Sequence, residues 1–86
     1  MLTINDLVET AAKYLKSFFP DSDSIQLEEI ELTDDNKYWF VTLSYEGSDI
    51  PTSTNLWLAN RSRKYKIFKI DAKSGEVRSM KIRDMK

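Results

Sequence analysis

The stretch Tyr65-Lys66-Ile67-Phe68-Lys69-Ile70-Asp71-Ala72-Lys73-Ser74-Gly75-Glu76-Val77 decides the fold class. It reads as a strand from Arg63 to Ala72, a turn at Lys73-Ser74-Gly75, and a second strand from Glu76 to Arg83. The turn has a physical signature. Gly75 can take the positive φ that a tight reversal needs, Asp71 can accept hydrogen bonds from the backbone N–H groups that follow it, and Val77 re-enters the core.

Upstream, the period-two pattern continues. Trp39, Val41, Leu43 and Tyr45 alternate with Tyr38, Phe40, Thr42, Ser44 and Glu46, so a strand of about 37–47 should turn the first set to the core and the second set outward. Before it, Asp34-Asp35-Asn36-Lys37 is a hairpin turn, and residues 25–33 form a further strand. In that strand the alternation slips phase across Glu28-Glu29, which predicts a β-bulge or bend. Toward the N-terminus the period changes to that of a helix. Ile4, Leu7, Val8, Ala11, Ala12, Leu15, Phe18 and Phe19 form one apolar stripe, with Thr3 and Asp6 at capping-box spacing and Pro20 as the stop. The predicted helix spans about 3–19, with Leu7, Ala11, Leu15 and Phe18 packed on Trp39, Val41, Leu43 and Ile70. The segment 48–62 is too long for a tight hairpin, and its Leu56-Trp57-Leu58 could dock on the body.

The chain has 86 residues, enough for one domain with a modest core. It contains neither Cys nor His, which excludes thiolate and imidazole nucleophiles and every common structural zinc site. With two Gly it has no phosphate-cradling loop. Ser48, Thr52, Ser53 and Thr54 cluster without a base to activate them, and we expect no enzyme, no cofactor and no metal. The carboxylates Glu28, Glu29, Glu31, Asp34 and Asp35 read best as a solvated edge strand protected by charge. The N-terminal segment has no basic run followed by an apolar stretch, so a cytoplasmic, non-membrane protein is the expectation.

A net charge of −1 hides a segregation. Residues 1–60 carry eleven acidic and three basic side chains, whereas 61–86 carry ten basic and three acidic ones. The first strand is therefore expected at one sheet edge and the basic hairpin at the other, giving a charge-polarised surface.

The order of one helix and then four strands in a meander, together with Asp71-Ala72-Lys73-Ser74-Gly75-Glu76-Val77, resembles the PepSY-type modules of the cystatin-like α+β class. In that family the corresponding turn reads Asp-Ala-Lys-Thr-Gly-Glu-Val, and this chain has Ser for Thr. The resemblance implies an N-terminal helix lying across a curved four-stranded antiparallel sheet. The cystatin inhibitory hairpin Gln-x-Val-x-Gly is absent.

Two surfaces stand out. Tyr38 and Phe40 lie opposite the core face of a central strand and Trp57 lies in the long loop, the composition of a protein-binding or homodimer patch. With Arg61, Arg63, Lys66 and Lys69 they form the expected partner-binding set. The favoured reading is a non-enzymatic module that binds another protein, a toxin or an enzyme, through the outer sheet face and the 48–62 loop, in the manner of a bacterial immunity or inhibitor protein. The alternative uses the basic hairpin to bind nucleic acid or an acidic partner, with Lys64, Lys73, Arg78, Lys81, Arg83 and Lys86 joining the cations above. A sequence pI near 5.4 opposes it.

Overall fold

The computed structural model describes residues 2–47 and 63–83. Trp57, Arg61 and the rest of the 48–62 segment lie outside the described residues. The element order is α1 (Ile4–Phe18), β1 (Asp23–Leu32), β2 (Tyr38–Glu46), β3 (Arg63–Asp71) and β4 (Val77–Ile82). The strands form one antiparallel sheet in the order β1-β2-β3-β4, so the fold is a small α+β meander with the helix on one face.

Each boundary has a local cause. The Thr3 backbone N–H donates to Asp6 Oδ2 at 3.0 Å while the Asp6 N–H donates to Thr3 Oγ1 at 3.1 Å, a reciprocal cap on the first helical turn. The helix ends at Phe18 because the residue before Pro20 is pushed out of helical geometry; Phe19 sits at φ −129°, ψ 75°. In the β1–β2 turn Asn36 takes φ 60°, and Asp35 accepts from the Thr33 hydroxyl at 2.6 Å and the Lys37 N–H at 3.0 Å. In the β3–β4 turn Gly75 takes φ 77°, and Asp71 Oδ1 accepts from the Lys73 and Ser74 N–H groups at 2.8 and 2.9 Å. A Cβ at Gly75 would stand 3.4 Å from Leu2, an ordinary contact, so the positive φ is what favours glycine there.

The β1 register shifts between Leu27 and Glu29, at the predicted phase slip, and again between Asp23 and Gln26. The core joins Leu7, Ala11 and Leu15 of the helix to Val41, Leu43, Tyr45, Phe68 and Ile70 of the two central strands. Trp39 packs against this cluster but is only partly buried. Phe18 corrects the expected stripe, because it is 58% exposed. It stands on the last helical turn and leans on Tyr14, with ring centroids 5.1 Å apart, while Phe19 turns inward beyond the helix and stacks on Tyr45 at 6.4 Å. Periodicity does not govern a residue past the last turn, so Phe19 fills the place that the stripe assigned to its neighbour. No helix among the described residues is long and apolar enough to cross a membrane.

Candidate functional site

The outer sheet face, opposite the helix, is organised in rungs. Register places Glu29, Thr42, Ile67 and Lys81 on one line across the four strands, and Glu31, Phe40, Lys69 and Ser79 on the next. A third line runs through Gln26, Ser44 and Tyr65 to Arg83, whose N–H donates to the Tyr65 carbonyl at 3.0 Å. Residues paired across an antiparallel sheet share a face, so these twelve side chains form one surface. Its β1 border is acidic apart from Gln26, its middle is apolar and hydroxylic apart from Lys69, and its β4 border is basic apart from Ser79.

Two groups of charged side chains close over this surface. Toward the end where β2 leaves the sheet, the Ser44 hydroxyl donates to Glu28 Oε2 at 2.5 Å and accepts from Arg63 Nε at 3.0 Å. The same guanidinium donates through Nη1 to Glu46 at 3.3 Å and through Nη2 to the Ser24 carbonyl. Arg63 thus ties β3 to both β2 and β1 at the point where the 48–62 segment begins and ends. Farther along, Arg83, the residue directly after β4, reaches Glu29 of β1 at 2.9 Å. The two edge strands stand about 14 Å apart at ordinary strand spacing, so both side chains extend over the two strands between them. Beneath the two groups Thr42 is 1% and Ser44 0% exposed. Glu29, Glu31, Phe40, Thr42, Ile67 and Arg83 line most of a shallow groove of about 400 Å³.

The predicted partner-binding residues divide accordingly. Tyr38, Phe40, Arg63 and Lys69 do lie on the outer face, with the Lys69 ammonium 4.2 Å from the centroid of the Tyr38 ring. Lys66 does not belong with them. It pairs with Leu43 on the helix side, is 5% exposed, and holds its ammonium 5.2 Å from the Phe19 centroid. Its removal from the surface follows from parity, because residues three apart on a strand point to opposite faces. Ser44 and Thr42 carry no site signal in the sequence, Glu29 is marked there only as an edge-strand carboxylate, and Arg83 only as a cation of the basic hairpin. Strand alternation marks the first two as outward but does not reveal what lies over them.

The expected placing of the acidic strand and the basic hairpin at opposite edges is what the strand order gives. The Arg83–Glu29 pair, however, engages one charge from each border within the molecule. Of the cations on the C-terminal hairpin, Arg63, Arg78 and Arg83 are in ion pairs. Glu31 and Lys81, in contrast, form no ion pair among the described residues.

Ser44 sits between a carboxylate and a guanidinium, yet it is sealed from solvent, so its hydroxyl joins strands rather than meeting a substrate. Among the described residues no group of three or more acidic side chains converges as a metal site. In comparisons with known proteins, no family model, no curated protein and no solved structure matches the chain.

Proposed function

We propose that the chain is a non-enzymatic protein-binding module that works through its outer sheet face, with the role of a bacterial immunity or inhibitor protein. One observation carries this reading: on the outer face an acidic or amide residue of β1 and a basic or hydroxyl residue from β4 or just after it border the half-buried Phe40, Tyr65, Ile67 and Lys69, with the buried hydroxyls of Thr42 and Ser44 among them. A surface with aromatic and aliphatic groups in its middle and borders of opposite sign suits a protein partner of complementary layout, where charge sets orientation and approach rate and the aromatics hold the complex. The helix-then-meander order and the Asp71–Val77 turn support reading the fold as a cystatin-like, PepSY-type module. Nucleic-acid binding is the weaker reading, since Lys66 is buried and three hairpin arginines are already in ion pairs.

Photo-cross-linking tests the assignment. A benzoylphenylalanine at Phe40, in cells of the source organism, should give a covalent adduct with a discrete polypeptide, whereas the same group at exposed Glu9 on the helix should not. Adducts at Glu9 alone would move the interface to the helix. Salt-sensitive, sub-micromolar binding to random-sequence RNA or DNA at about 150 mM salt would replace the protein reading with the nucleic-acid one.

A further inference from the structure

We infer that the outer sheet face is self-complementary and that a second copy of this chain is an occupant of it, the two sheets packing face to face about a two-fold axis parallel to the strands. The inference rests on the outer face being a protein-binding surface and names one partner for it.

The strand order and the rungs supply the geometry. A half-turn about an axis lying between two packed faces and running along the strands leaves every position along the strand unchanged and exchanges left for right. It therefore lays β1 of one copy over β4 of the other. Each rung then meets itself reversed, so that Glu29 faces the second copy's Lys81 and Phe40 faces the second copy's Lys69. Glu31 falls one rung from Lys81, within diagonal reach of a long side chain. Both are charges that the monomer leaves without an ion-pair partner among the described residues. The other two-fold arrangement that keeps the strands of the two sheets aligned has its axis across the strands. It would put β1 on β1 and β4 on β4, acid against acid and base against base. The charge pattern thus selects one arrangement, and because the contact is isologous it closes at two copies.

The size of the face sets the strength. Four strands by three rungs make a footprint on the order of 20 by 20 Å, at the small end for a stable complex, so self-association should be weak, with Kd in the micromolar range or above. It should also weaken with salt, since the borders of the contact are charged.

Sedimentation equilibrium of the full chain from about 10 to 500 µM provides the test, with Glu31→Lys and Lys81→Glu as variants and far-UV circular dichroism confirming that each keeps the fold. Both sites are exposed and free of ion pairs among the described residues, so neither change removes an ion pair seen there. The expected result is a monomer–dimer equilibrium for the native chain at about 50 mM salt, weakened about tenfold or more by either reversal, because two-fold symmetry repeats each like-charge contact. Mixing the two variants in equal amounts should restore a heterodimer. In it both 31–81 contacts between the copies join opposite charges, and only the changed position 81 still opposes a like charge, Glu29 of the other copy, so the rescue is partial. A native chain that stays monomeric throughout overturns the inference and leaves the cross-link at Phe40 to decide the protein-binding reading. A dimer unchanged in both variants, or a mixture no tighter than its components, overturns the charge-paired face. Open-ended growth beyond two copies overturns the two-fold axis in favour of edge-to-edge contact.

Discussion

On the helix side of β2, Val41, Leu43 and Tyr45 lie under Leu7, Ala11 and Leu15. On its other side Thr42 and Ser44 are no more exposed, but what lies over them among the described residues is Arg63 with Glu28, and Arg83 with Glu29. The same strand is therefore buried twice, by different materials. Apolar packing loses contact area when a methyl group is removed and barely responds to salt. A cover of extended charged side chains has little area to lose, is screened, and can swing aside for a partner at small cost because surface ion pairs contribute only about 0–1 kcal/mol. One face is thus suited to holding the fold and the other to being opened.

The helix face should be the stronger of the two. Leu15→Ala, at a fully buried site in the middle of the stripe, should cost roughly 2–5 kcal/mol of unfolding free energy in urea, with the slope unchanged. An unfolding midpoint that stays in place would mean that the helix does not cover the core.

On the outer face Ser44→Ala removes the hydroxyl that joins Glu28 to Arg63. The expected loss is smaller, about 0.5–1.5 kcal/mol, because the carboxylate and the guanidinium can both turn to water. A loss as large as that at Leu15 would show the polar cover to be as rigid as the apolar one.

The Arg83–Glu29 pair sharpens the contrast further. A double-mutant cycle with Arg83→Gln and Glu29→Gln should give a coupling energy below about 1 kcal/mol that fades toward zero near 1 M salt. Coupling that survives high salt would indicate a desolvated bridge and a closed face.

Acid tests a third set of interactions, the element ends. The Thr3 N–H holds Asp6 below the usual carboxylate range, the Thr33 hydroxyl does so for Asp35, and the Ser74 and Lys73 N–H groups do so for Asp71. A depressed folded-state value means that the stabilisation is fully present above the ordinary value of about 3.9 and is lost as pH falls through the folded one. Thermal midpoints should therefore decline below about pH 4, with a slightly shallower decline in Asp71→Asn, the smallest effect of the four. Identical pH profiles for the two proteins would remove Asp71 from the turn's support.

The element order, the capping box at Thr3 and Asp6, the slip at Glu28-Glu29 and the positive-φ turn at Gly75 were legible in the amino-acid order, and each is present. All of them depend on neighbours within a few residues, where backbone geometry and periodicity act directly. The inward turn of Lys66 was also within reach, since strand parity alone requires it. What periodicity could not supply were the contacts that form after the strands are in register. Phe18 and Phe19 exchanged roles because the helix ended between them, and the ring that reached Tyr45 was selected by the exit from the last turn. Thr42 and Ser44 carry the same alternation as any solvent-facing strand residue, and their burial comes from side chains far away in the chain, reaching over from β1, from β3 and from the end of β4. Local order specified which way each side chain points; only the assembled sheet determined what would lie across it, because that depends on which long charged residues the register brings to neighbouring rungs.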